Sequence, residues 1–230
     1  MSKKTTNDTL EGKDVDLGQV YTRTELFLDR NKKAITIGVV ALLVIVGGLL
    51  GYRKLVAEPN AREASEMMWK AEYYFEVDSF DLALNGDDQW PGFLEIIDRH
   101  GSTPAGDLAH YYTATILMQK GEYEGALDHF KKADINDDVL SVMAVGNQGD
   151  ALVELDRLDD AAKQFEKAAK MNKNEFTTPM YLMKAGMVHQ QLGHFKEAKK
   201  AFDRLAEEFP NHPDANQARK FAALAEASAN

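Results

Sequence analysis

The chain has 230 residues, 44% hydrophobic and 28% charged, with a formal charge of -10 and no cysteine. Ordinary glycine and proline contents exclude collagen-like and low-complexity chains. The absence of cysteine excludes disulfides, thiolate metal sites, cysteine nucleophiles and a lipid-modified cysteine anchor. The charge is unevenly spread: residues 1–54 carry nine Lys/Arg and six Asp/Glu, and the other 176 residues carry 18 and 31. Phosphates would meet a strongly acidic surface with no basic stripe, so nucleic acid is not an expected partner.

Residues 1–17 read as a disordered tail. In 18–33, Val20, Thr24, Phe27 and Leu28 fall on one helical face. That pattern suits an amphipathic segment along a membrane surface, or simple continuation of the helix that follows. Ala34–Gly51 is eighteen residues without a charge, flanked by Arg30, Lys32 and Lys33 on one side and Arg53 and Lys54 on the other. At ~1.5 Å per residue it spans ~27 Å, enough for a bilayer core of ~30 Å, so a transmembrane helix is expected over 34–52. A cleaved signal peptide fits poorly, because 33 residues precede the apolar run and no small-x-small site follows it. Four Lys/Arg between Arg23 and Lys33 against three between Arg53 and Arg62 predict the N-terminus in the cytoplasm. Gly47 and Gly51 form a GxxxG pair, a spacing that suits close packing of transmembrane helices.

Beyond the anchor the sequence repeats itself. Gly121–Ala133, Asp156–Ala168 and Gly193–Leu205 align with a turn residue first, then Tyr123, Leu158 or Phe195 two positions on. Alanine follows at Ala126, Ala161 and Ala198, and phenylalanine at Phe130, Phe165 and Phe202. Seven residues before each turn stands a small residue, Ala114, Gly149 or Gly186. The spacings of 35 and 37 residues lie close to the tetratricopeptide-repeat (TPR) period of about 34. The physical content is a helix hairpin: the small residue lets the second helix approach, glycine permits the turn, and alanine and phenylalanine bury the contact. Such hairpins stack into a right-handed solenoid. The expected fold is therefore all-α: one N-terminal transmembrane helix, then a TPR-type right-handed helical solenoid over 60–230. Its parts are a degenerate hairpin over 61–100, repeats at 107–140, 142–175 and 179–212, and a capping helix at 214–227. Asn60–Thr103 gives no good match to the repeat pattern; it predicts helices at Ala61–Val77 and Trp90–Arg99 around a loop at 85–88.

No catalytic constellation is present: there is no HExxH, GxSxG, P-loop or dinucleotide fingerprint. His189 and His194, five apart with a turn at Gly193, fall off a common helical face, so a metal pair is not expected. Asp134, Asn136 and Asp138 have the spacing of the first ligands of a calcium loop, but Val139 and Val145 stand where its glycine and glutamate belong. No enzyme activity, cofactor or metal is predicted. The first helix of each repeat should line a concave, partner-binding face. Its candidates are Tyr111, Thr115 and Met118, then Gly146, Asn147, Asp150 and Val153, then Met183, Lys184, Met187 and Gln190. A cationic clamp for carboxylates is missing; methionine and tyrosine there suit varied apolar segments or pack between helices.

A short tail, one anchor, a degenerate hairpin and TPRs in that order resemble the YfgM family, ancillary subunits of the bacterial Sec translocon. The resemblance runs over nearly the whole chain, and Ala61–Ala114 is similar to versions from the Bacteroidetes group. It implies an inner-membrane protein with its TPR domain in the periplasm. The implied partners are translocon subunits and a membrane-anchored peptidyl-prolyl isomerase, with nascent secreted chains as clients. An anchored TPR adaptor in cell-envelope assembly, apart from the translocon, is the alternative. An inside-facing anchored receptor fits less well with the charge bias.

Overall fold

The computed structural model describes residues 17–229, with side chains from Glu25 onward. The tail expected before them lies outside the described residues. Two compact units are present, one ending at Val56 and one beginning at Ala57.

The first unit is dominated by helix α1, Leu17–Tyr52, followed by a π-helical turn at Arg53–Ala57. α1 passes through Lys33 without a break, so 18–33 continues the helix that carries the apolar run. Two polar residues within it satisfy their side chains on their own helix: Asn31 donates to the Phe27 carbonyl at 2.9 Å and Thr36 to the Lys32 carbonyl at 2.8 Å. Residues 32–50 are all exposed, and this is a helix long and apolar enough to cross a membrane.

The second unit is all-helical. Its elements are α2 (Glu58–Glu76), α3 (Phe80–Asn85), α4 (Phe93–His100), α5 (Pro104–Lys120), α6 (Tyr123–Lys132), α7 (Leu140–Glu154), α8 (Leu158–Met171), α9 (Thr177–Gln191), α10 (Phe195–Glu208) and α11 (Ala215–Ser228). The pairs α5–α6, α7–α8 and α9–α10 are the three hairpins read from the repeat. The reason they close is visible at the small residues. A Cβ on Gly149 would stand 2.6 Å from the Phe165 ring, and one on Gly186 would strike the Phe202 ring in the same way. Ala114 clusters with Ala126 and Phe130. All three phenylalanines are essentially fully buried.

The turns share one hydrogen-bond scheme. At Gly121, Asp156 and Gly193 the turn N–H bonds the carbonyl three residues back, and the next N–H the carbonyl five back from itself. Each turn residue has positive φ, 77°, 55° and 74°. Glycine takes that conformation freely; Asp156 takes it as one of the few side chains that tolerate it.

The stretch read as a degenerate hairpin of two helices holds three, and its start obeys the same rule. Asp78 has φ 55°, its N–H bonds the Phe75 carbonyl, and the Ser79 N–H bonds the Tyr74 carbonyl. Ala71 stands seven before it, Phe80 two after it and Ala83 five after it, which are the repeat positions. Where the buried phenylalanine should come, the sequence has Asp87. α3 stops at Asn85, and residues 86–92 leave the helix through an isolated bridge between Gly86 and Pro91. α4 then resumes. Phe93, fully buried, stacks on Tyr112 of α5 with centroids 5.0 Å apart. The turn-to-turn spacing from Asp78 to Gly121 is 43 residues, long by about the length of that excursion, which hides the repeat from a search for a fixed period. α5 starts cleanly: Pro104 sits in its first turn and Thr103 Oγ1 accepts from the Gly106 N–H at 3.1 Å.

One core cluster runs from Leu127 of α6 to Ala225 of α11, and a second joins α2 through α5. α11 closes the array with Ala215, Ala218, Ala222 and Ala225 buried and Phe221 against the Phe202 ring at 5.3 Å.

Candidate partner-binding surface

The expected site residues lie on the first helices α5, α7 and α9, and the structure links several of them from one repeat to the next. Asn147 Nδ2 of α7 donates to the Tyr111 hydroxyl of α5 at 3.4 Å. Lys184 of α9 donates to both carboxylate oxygens of Asp150 of α7 at 2.7 Å. The same ammonium lies 5.6 Å from the Phe165 ring centroid and 5.8 Å from that of Tyr181. Lys184 is thus committed within the protein, to Asp150 and the two rings.

Other candidates are placed differently. The Thr115 hydroxyl donates to the Tyr111 carbonyl at 2.9 Å, so it serves its own helix. Met118, Met183 and Val153 are half-buried and pack against the core cluster. Met187 is 53% exposed and Gln190 half-buried. Gly146, expected to line the face, is buried: the Tyr181 ring covers it so closely that a Cβ would overlap the ring. Gly47 and Gly51 lie on α1, where a Cβ would meet nothing within 4 Å.

Tyr181 is the residue that the repeat pattern does not flag. Its side chain is fully buried, stacked against Phe165 at 6.2 Å, and its hydroxyl has no hydrogen-bond partner. Burial pushes its ionisation up, and the negative charge of Asp150 adds to the effect. The signal that could have found it is a glycine, Gly146, one turn from the repeat glycine Gly149, leaving room for a ring from the next repeat.

Four of the six histidines come together in pairs. His110 and His129 meet Nδ1 to Nδ1 at 2.9 Å between α5 and α6. Burial first, then the positive charges facing it at His129 and Lys132, holds His110 at about 4. His189 Nε2 bonds Glu166 at 2.9 Å between α9 and α8. Burial alone would raise Glu166, but the bonds from His189 and Lys170 outweigh it and hold the carboxyl low. The His189 and His194 rings come within 5.9 Å, because the turn at Gly193 folds the chain back. Among the described residues no group of three or more His, Cys, Asp or Glu side chains could hold a metal. Asp137 accepts from the N–H groups of Val139 and Leu140 at the start of α7, an ordinary helix-initiating role.

Three segments of the chain, 93–139, 144–175 and 181–212, match tetratricopeptide-repeat families. The solved structure of YrrB, a TPR protein with an unusual peptide-binding site, matches with a TM-score of 0.53 and 21% identity, over 76% of this chain and 81% of that one. At that identity the likeness shows the fold. No curated protein matches. The second unit is a TPR array, an architecture that works by presenting surfaces to other proteins.

Proposed function

We propose that the protein is a single-pass membrane protein whose TPR unit binds protein segments and performs no catalysis. The observation that carries this reading is the pairing, in one chain, of a bare apolar helix long enough to span a bilayer with a TPR array. Met187, Met183 and Tyr111 on the first helices supply pliable, amphipathic contacts for an extended partner segment. The peptide-binding site of the similarly folded YrrB supports this mode. The flanking charges favour an N-terminus in the cytoplasm and a TPR unit on the far side.

The finer reading follows the resemblance to YfgM: an inner-membrane subunit beside the Sec translocon, assisting secreted chains together with an anchored periplasmic prolyl isomerase. The test is photo-crosslinking from position 187 of the full-length protein in cells, followed by mild-detergent purification and mass spectrometry. Crosslinks to translocon subunits and an anchored prolyl isomerase are expected. Crosslinks confined to cell-wall or outer-membrane assembly factors would overturn the translocon reading in favour of an envelope adaptor.

A further inference from the structure

Helix α2 presents a ridge of aromatic residues to solvent at the N-terminal end of the array. Trp69 is 51% exposed and Tyr73 48% exposed, one helical turn apart. Trp90, 36% exposed, comes from the excursion between α3 and α4 and meets the Trp69 ring edge-on with centroids 5.0 Å apart. Two separate segments therefore build one aromatic surface. Tryptophan and tyrosine are the side chains that most often anchor protein interfaces, since they bury much area with little loss of side-chain freedom.

The surface already holds a cation. Lys70 Nζ lies 4.7 Å from the Tyr73 and Tyr74 ring centroids and 5.6 Å from that of Trp69. Asp87 fixes Tyr74 from the other side by accepting its hydroxyl proton in a hydrogen bond. The chain's own ammonium thus fills the ring faces on that side and holds the rings in place.

The charge around them is one-sided. Residues 58–100 contain eleven Asp/Glu and three Lys/Arg. Two of those three cations are spent internally: Arg62 on Glu66 at 2.9 Å, and Arg99 on Glu63 at 3.1 Å and Glu95 at 3.2 Å. Lys70 is spent on the rings. Glu76 follows Tyr73 by three residues and shares the outward face with Trp69, while Glu72 flanks it. Glu72 is raised by burial and by the negative charge of Glu76, a repulsion that an arriving cation would relieve.

From these features we propose that the α2 face formed by Trp69, Tyr73 and Trp90 is a docking surface for a partner protein segment in which lysine or arginine alternates with apolar residues. The apolar side chains would lie on the indoles, and the cations would meet Glu72 and Glu76. Anionic lipid is disfavoured by the same acidic frame. This surface uses none of the candidate residues on α5, α7 and α9.

The chain has two tryptophans, and both are in this surface, so tryptophan emission reports on it alone. The experiment titrates full-length protein in nanodiscs of neutral lipid with a short peptide of lysine, leucine and proline. A peptide with glutamate for lysine, and vesicles of phosphatidylglycerol, are titrated in parallel. The lysine peptide should shift the emission saturably, with affinity that falls as salt rises. The isosteric double variant Glu72→Gln with Glu76→Gln should bind about fivefold more weakly or worse, as should Tyr73→Ala. The same charge change placed at the start of α6, Glu122→Gln with Glu124→Gln, should leave the affinity unchanged. Equal weakening by both double variants would reduce the effect to net charge and overturn the proposal. A shift with the glutamate peptide, a shift with vesicles alone, or no shift with the lysine peptide would each overturn it as well.

Discussion

At Gly149 the absence of a side chain decides whether two helices can touch. The Phe165 ring occupies the place a Cβ would need, 2.6 Å away. Gly149→Leu should therefore lower stability by ~1–3 kcal/mol through overpacking, read as a drop in the denaturant midpoint. Tyr181→Phe is the opposite case. It removes a buried hydroxyl without a partner while keeping the stack on Phe165, so stability should hold or rise by about 1 kcal/mol. His110 makes stability depend on pH. Folding holds it at about 4 against an ordinary 6.5, so between those values the unfolded chain binds the extra proton. The stabilisation is complete above the unfolded value and is lost as pH falls toward the folded one. His110 should contribute a loss on the order of 2 kcal/mol between pH 7.5 and pH 5. Denaturation of His110→Gln should therefore show a smaller loss than the wild type, the remainder coming from His129, which burial and Lys132 also lower. Residues of this kind were unevenly legible. Gly149 and Gly186 declare themselves by recurring at one register position. Tyr181 and Gly146 contact each other across repeats, and no period within a repeat marks that contact. His189 and His194 look separate on a helical wheel, but the turn between them brings the rings together.

Among elements, the four hairpin turns are one device built four times, with a positive-φ residue at Asp78, Gly121, Asp156 and Gly193. Asp156→Val should destabilise by roughly 1–2 kcal/mol, since a β-branched residue is disfavoured there, whereas Asp156→Gly should be close to neutral. Thermal unfolding of the two variants separates these outcomes. The three later hairpins could be read from sequence because turn, alanine and phenylalanine keep their distances. The first was legible only as a degenerate hairpin of two helices over 61–100, for two physical reasons: Asp87 replaces the buried phenylalanine, and residues 86–92 divide the second helix into α3 and α4. The core is completed instead by Phe93 stacked on Tyr112, a contact between elements that pattern alone does not reveal.

For the whole molecule, the sequence legibly divides into an apolar helix and a repeat array, because a charge-free run and a repeat are both long-range signals. The face for partners was less legible. The candidate positions lie on α5, α7 and α9, but which side chains are spent inside the protein, as Lys184 is on Asp150, depends on distances between repeats. The two units make a direct prediction for a chain that begins at Ala57. The most telling measurement compares that truncated chain with the full one by alkaline membrane extraction and circular dichroism. The full chain should stay in the membrane pellet through alkaline extraction, and the truncated chain should be soluble, helical and cooperative in its unfolding. A full chain released by alkali, or a truncated chain that is insoluble or unfolded, would contradict an anchor joined to a self-standing TPR array.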